Sequence, residues 1–100
     1  MSTPAFVVAR LSIKDKEKLQ TYSEGAAKTI ADHGGQVAKR GAFVDALLGA
    51  PEPHMATAVL QFPSVEAART WFASDAYQAL AQVRDEACDM QLYLYEAPAA

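Results

Sequence analysis

The sequence predicts a single α+β domain with the element order βαββαβ, on three observations. Short runs of β-branched and aliphatic residues at positions 5–13, 54–62 and 90–96 are typical of strands. Residues 15–33 and 64–87 instead place apolar side chains at helical spacing. With right-handed crossovers, this order gives the ferredoxin-like arrangement, a four-stranded antiparallel sheet with its helices on one face.

The first strand and the first helix have chemically marked boundaries. The strand AFVVARLSI ends at Ile13, and Asp15 can then accept hydrogen bonds from the N–H groups of the first helical turn. The pair Gly34-Gly35 supplies the conformations that commonly end a helix. Between these limits runs one stripe of mostly apolar residues, which is expected to lie on the sheet: Leu19, Tyr22, Ala26, Ile30 and His33.

The second and third strands are predicted to form an antiparallel pair. Residues 36–48 alternate loosely between apolar and polar, and Gly41 indicates a bend or a bulge. A turn is expected at residues 49–53, which hold one glycine and two prolines. The third strand then covers residues 54–62 and ends at Pro63.

Two helical segments are predicted before the last strand. Ser64 caps a short helix, and Ser74-Asp75 starts another that is expected to continue through Cys88. The second helix places Arg84 on one face with these neighbours: Tyr77, Leu80 and Ala87. An arginine on such a face needs an anion or a carboxylate partner.

The last strand predicts an uncovered sheet face. Residues 90–96 alternate Met90, Leu92 and Leu94 on one side with Gln91, Tyr93 and Tyr95 on the other. The first strand adds Phe6, Leu11 and either Val7 or Val8, more apolar surface than two helices can cover. A second copy of the sheet is the economical cover, so we expect a homodimer.

Composition and charge exclude several classes of protein. The chain has 100 residues, 51% of them hydrophobic, which suits one domain over residues 1–100. Its formal net charge is -3 and its basic residues are scattered, so no nucleic-acid partner is expected. No signal peptide and no apolar run of the ~20 residues that span a bilayer is evident. The lone Cys88 cannot form an internal disulfide, and we expect a cytoplasmic protein.

Four stretches carry a family resemblance: FVVARLSI, IADHGGQVAKRG, AVLQFPSVEAARTWFASDAYQAL and MQLYLYE. Together they resemble the small bacterial proteins of the domain of unknown function 1330 family, within the dimeric α+β barrel superfamily. The resemblance implies a dimeric α+β barrel with a pocket between helices and sheet. It raises the expectation of small-molecule chemistry without identifying a reaction.

Two residues are candidates for catalysis. His33 ends the helical stripe, where an imidazole can act as acid or base near neutral pH, although a helix-terminal His bonded to a carbonyl is the alternative. Arg40 falls in the R-G element of the family pattern, and its planar fork can hold a carboxylate, although a surface ion pair is the alternative.

Four further residues are candidates for ligand binding: Tyr22, Trp71, Tyr77 and Arg84. Trp71 suits a core or a pocket wall equally, whereas its neighbour Phe72 is expected in the core. Tyr77 stands where the resembling polyketide cyclase has a catalytic histidine, and a phenol is a poor base at neutral pH, so that mechanism is not carried over. Neither a metal nor another cofactor is expected, because no ligand spacing or phosphate loop is present.

The leading hypothesis is a protein that binds or processes a small anionic or carbonyl compound. If the protein is an enzyme, we expect proton transfer without a cofactor. In that case His33 is the acid or base and an arginine fixes the anion. The alternative is a non-catalytic dimeric module for assembly or stress protection, in which Glu86 and Asp89 neutralise Arg84 locally.

Overall fold

Strand and helix boundaries follow the chemistry of the chain closely in its first third. The structure, a computed structural model, describes residues 3–50 and 54–98. Strand β1 is Ala5–Ile13 and helix α1 is Lys16–Asp32. The Asp15 carboxylate accepts a hydrogen bond from the N–H of Lys18, and Gly34 takes the positive φ of 76° that ends α1.

The remaining elements complete the predicted order. Strand β2 is Gln36–Ala42 and β3 is Ala56–Phe62. Three helices follow, α2 at Val65–Ala73, α3 at Asp75–Gln78 and α4 at Ala81–Ala87, and β4 at Cys88–Glu96 closes the sheet. The strand order is β2-β3-β1-β4, and all neighbours are antiparallel. The chain has the α+β ferredoxin-like fold.

Alternation along the strands separates a covered sheet face from a bare one. In β1, the buried residues Val7, Ala9 and Leu11 face the helices, while the residues between them are only half-buried. Register places Leu94, Leu92 and Met90 of β4 beside those three, on the same face. The opposite face carries Phe6 and Tyr95, whose rings stack at a centroid distance of 5.4 Å.

Strand β2 is shorter than the sequence predicts. It ends at Ala42 instead of residue 48, because β3 begins only at Ala56 and offers no further partner beyond the Phe43 N–H bond to the Met55 carbonyl, 2.7 Å. Leu47 and Leu48 are therefore exposed. The predicted bend is a bulge between Val37 and Lys39. Of the predicted turn, residues 51–53 lie outside the described part of the chain.

The last helix is also divided differently from the prediction. A turn at residues 79–80 separates α3 from α4, and Cys88 is the first residue of β4, not the end of a helix. The reason is that the Lys14 and Asp15 N–H groups both bond to the Ala87 carbonyl, 2.8 and 2.9 Å, which draws the chain into the sheet there. Within the described residues, no helix is long and apolar enough to cross a membrane.

Candidate functional site

Two cavities lie between the helices and the covered face of the sheet. The first, here the Arg40 cavity, lies between α1 and all four strands and has a volume of about 420 Å³. The second, the Arg84 cavity, lies between α2, α4 and β4 and has a volume of about 410 Å³. Both volumes are in the range of small-molecule sites.

Small side chains create the Arg40 cavity. Its floor on the sheet includes Ala9, Ala56 and Ala58, and α1 places Ala26 and Ala27 above it. Facing methyl groups cannot fill the space between a helix and a sheet that larger residues hold apart, so a void remains. The cavity is thus a consequence of small residues at the inward positions of otherwise regular strands.

One cation lies at the rim of this cavity. Arg40 pairs with Ala58 across β2 and β3, which brings it to the covered face, where it lines the cavity and remains exposed. Within the described residues, the Arg40 side chain makes no hydrogen bond and no ion pair. The rest of the described lining is neutral and includes Tyr22.

The Arg84 cavity has a more polar wall. The Arg84 side chain is only 18% exposed, and its Nε donates to the Asp85 carboxylate at 3.1 Å. The predicted neutralising residues are therefore wrong: Asp85 pairs with Arg84, whereas Glu86 pairs with Lys18 at 2.9 Å. Arg69 also lines this cavity, over a floor of Val7 and residues of β4.

A chain of hydroxyl groups links the two cavities. Arg84 Nη1 donates to the Tyr77 hydroxyl at 3.2 Å, and the Tyr77 and Tyr22 hydroxyls are 2.8 Å apart. Since a guanidinium only donates, Tyr77 accepts from it and can donate onward to Tyr22. The Tyr22 hydroxyl in turn reaches Met90 Sδ at 3.8 Å. Burial, then Tyr77, raises the pKa of Tyr22 well above its ordinary value, so this hydroxyl remains a donor.

Trp71 is mainly a core residue and also lines the Arg84 cavity. It is 1% exposed, packs on Tyr77 at a centroid distance of 4.4 Å, and donates from Nε1 to Thr29 Oγ1 at 3.0 Å. The prediction that Phe72 lies in the core is wrong, because Phe72 is 45% exposed and lines the same cavity. The helix turns Trp71 inward, which leaves the adjacent position facing outward.

His33 lies apart from both cavities. It caps the end of α1, and its Nδ1 is 2.8 Å from the Thr29 carbonyl oxygen, the geometry of a helix-terminal histidine. Neither described cavity lining includes it. Of the six predicted site residues, the structure joins Tyr22, Tyr77 and Arg84 directly, places Trp71 against them, and puts Arg40 in the neighbouring cavity.

Met90 and the floor alanines were missed as site residues in the sequence. Met90 reads as an ordinary inward position of a strand, yet it lines both cavities. The available signal was the run of inward alanines Ala9, Ala56 and Ala58 on adjacent strands, which predicts missing volume.

Among the described residues, no group of three His, Cys, Asp or Glu side chains is placed to hold a metal ion, and burial raises the pKa of the Cys88 thiol.

Comparisons with known proteins agree with this architecture. A family model described as "Domain of unknown function (DUF1330)" matches residues 4–98. No curated protein matches the chain.

Solved structures share the fold at low sequence identity. A protein of unknown function from Rhodopseudomonas palustris superimposes with a TM-score of 0.81 at 18% identity, over 100% of this chain and 86% of that one. SnoaB, a cofactor-independent oxygenase from Streptomyces nogalater, has a TM-score of 0.70 at 11% identity, over 99% and 97%. A dimeric ferredoxin-like protein of unknown function from Thermobifida fusca has a TM-score of 0.62 at 11% identity, over 97% and 93%. These likenesses are likenesses of fold.

Proposed function

The chain belongs to the DUF1330 family, and since that family's description states no activity, we propose a function from the cavities. The protein binds a compact, mainly apolar molecule that carries a carboxylate or another anionic oxygen group. The apolar part occupies the Arg40 cavity, and the anion meets the Arg40 guanidinium at its rim.

The observation that carries this proposal is an unpaired cation beside an apolar void. An exposed arginine usually contributes little to stability, but a guanidinium at the mouth of an apolar cavity can hold a carboxylate through two parallel hydrogen bonds. The alanine-lined space accepts an alkyl or aryl group without moving the backbone. The Tyr22 hydroxyl offers a second donor for a carbonyl oxygen.

Binding is better supported than proton transfer. A proton-transfer site needs an acid or base with a pKa near neutrality within reach of the ligand. The described linings of both cavities contain no histidine and no carboxylate, and their titratable groups are arginine and tyrosine. His33 therefore receives no role in the proposal. The oxygenase among the structures of this fold supports small-molecule chemistry only as an analogy.

The test compares a carboxylate with a neutral molecule of the same length. We expect octanoate to bind the parent protein more tightly than octanol in calorimetric titrations. Arg40→Gln should weaken octanoate binding by about three- to tenfold, because an exposed charged hydrogen bond is lost, and should leave octanol binding unchanged.

Lys39→Gln is the matched control. Lys39 is the neighbour of Arg40 on β2, is exposed, and pairs with Val59 on the other face of the sheet. Its substitution removes the same charge without touching the cavity, so octanoate binding should be retained. If octanoate fails to bind, or if both variants lose affinity equally, the Arg40 cavity is not an anion site and a non-catalytic module is the better interpretation.

We also propose that two chains pair through the bare sheet face to form a dimeric α+β barrel in the cytoplasm. The described chain measures 38 × 35 × 16 Å, a thin layer of helices on one sheet. Tyr93 and Tyr95 are 40% and 49% exposed on its bare side. A fold neighbour is described as dimeric, and the single Cys88 suits a reducing compartment.

Light scattering tests the pairing. At micromolar concentration we expect twice the mass of one 10.7 kDa chain. Tyr95→Lys should shift the mass toward the monomer, because it puts a charge into the proposed interface. Gln82→Lys, on the exposed side of α4, should not. A parent protein with the mass of one chain would rule out the dimer.

A further inference from the structure

Two residues of β4 form a shared wall between the cavities. Met90 and Leu92 are both in the lining of the Arg40 cavity and in that of the Arg84 cavity. Both are half-buried and face the helices from the edge strand. The two spaces are thus neighbours, divided by side chains and not by backbone.

Met90 is suited to move. A methionine side chain is unbranched, has three rotatable bonds and fits irregular spaces. Among the described residues, its side chain has one polar contact, the Tyr22 hydroxyl at 3.8 Å, and a thioether is a weak acceptor. If Met90 moves away, a ligand oxygen can accept the hydrogen bond that the Tyr22 hydroxyl gives to the sulfur. Displacing Met90 therefore costs little hydrogen-bond energy.

Each cavity has a cation of its own. Arg40 lines only the first, while Arg84 and Arg69 line only the second. Neither described lining includes a carboxylate, and the carboxylate that neutralises Arg84 belongs to Asp85, which is exposed outside the lining. Positive charge therefore stands on both sides of a shared apolar wall.

We propose that the two cavities are compartments of one site, that Met90 is the movable partition between them, and that the preferred ligand is an apolar chain with an acidic group at each end. This inference rests on the proposed function and adds the second compartment to it. One carboxylate meets Arg40, the apolar chain passes Met90, and the other carboxylate meets Arg84 and Arg69.

The test measures the benefit of the second acidic group. Calorimetry compares α,ω-dicarboxylates from adipate to dodecanedioate with monocarboxylates of the same chain length. For at least one length, we expect the dicarboxylate to bind about tenfold more tightly, since it gains charge-assisted hydrogen bonds in the second compartment.

Variants at position 90 isolate the partition. Met90→Ile introduces a β-branched side chain that is stiff at χ1, so the partition should stay closed and the tenfold advantage should be lost while monocarboxylates still bind. Met90→Ala removes the movable part of the wall, leaves Leu92 in place and should preserve the advantage. Arg84→Gln should also abolish it. The position 90 variants keep the test valid if the half-buried Arg84 proves necessary for folding.

Methionine methyl groups provide a direct readout. In ¹³C-methyl-labelled protein, a bound dicarboxylate should shift the Met90 resonance further than the monocarboxylate of the same length does, because Met90 also lines the Arg40 cavity. The resonance of Met55, which is 54% exposed and lines neither cavity, should stay in place. If monocarboxylates bind but no dicarboxylate gains affinity or shifts Met90 further, the two-compartment site is wrong and the proposed function stands. If neither class binds, the proposed function fails as well.

Discussion

Two halves of the same helix–sheet layer are packed very differently. On one side Phe62, Trp71 and Tyr77 are at most 3% exposed and their rings interlock, with 5.3 Å between the Phe62 and Trp71 centroids. On the other side Ala9 and Ala58 face α1 across a cavity of about 420 Å³. In both halves the strands alternate inward and outward residues in the same way. Side-chain volume at the inward positions decides where this layer is closely packed and where it leaves space for a ligand.

The aromatic half should carry most of the stability. Trp71→Ala removes the largest side chain of the core and leaves Thr29 Oγ1 without its indole partner, so we expect the free energy of unfolding to fall by about 3–5 kcal/mol. Urea denaturation monitored by circular dichroism measures this. Phe72→Ala is the matched control on the same helix turn, and its exposed ring should contribute about 1 kcal/mol or less. Similar losses in the two variants would contradict the division into halves.

Most of the fold could be predicted from the sequence, because capping residues and hydrophobic period act locally. Asp15, Ser64 and Ser74 each accept the hydrogen bond expected of a helix cap. The end of β2 could not be predicted, because it depends on where the partner strand begins. The assignment of Phe72 to the core failed for a related reason, since two adjacent aromatic residues on a helix cannot both face inward.

The candidate site was predictable in its chemistry but not in its geometry. Helical spacing was enough to bring Tyr22, Tyr77 and Arg84 into consideration, and the structure joins them by hydrogen bonds. No spacing rule relates Arg40 to a void, because the void is lined by residues of five different elements. Met90 was overlooked for the same reason, since its place between two cavities depends on the elements that pack on either side of it.

Alkaline pH tests how strongly the fold disfavours a charge on the buried side chains of Tyr22 and Cys88. Burial raises the pKa of Tyr22 above the ordinary value near 10, and burial raises the pKa of Cys88 as well. At lower pH both groups are neutral in the folded and the unfolded chain, so the free energy of unfolding does not depend on their titration there. As the pH rises above about 9, the unfolded chain releases protons that the folded chain retains, and stability falls by at most about 1.4 kcal/mol per pH unit for each group.

Tyr22→Phe identifies the share of this effect that belongs to Tyr22. The variant loses a hydrogen bond at every pH, so only the slope is compared: urea midpoints measured from pH 8 to 11 should decline less steeply than in the parent. Tyr93→Phe, which changes an exposed ring, should keep the parent slope. An unchanged slope in Tyr22→Phe would mean that water reaches the Tyr22 hydroxyl in the folded protein.

The alanine half should tolerate a large side chain that the aromatic half could not. Adding three carbon atoms to a well-packed core costs about 1–3 kcal/mol, because neighbours must leave their preferred rotamers. Ala58→Leu adds them where the lining leaves open space, so the free energy of unfolding should stay within about 1 kcal/mol of the parent. The same substitution fills the Arg40 cavity, and octanoate binding should be lost although Arg40 is intact. A stable variant without binding would show that the empty volume itself, and not only the charge at its rim, selects the ligand. A variant destabilised by more than about 2 kcal/mol would show that the alanines are closely packed and that the contrast between the halves is smaller than the structure indicates.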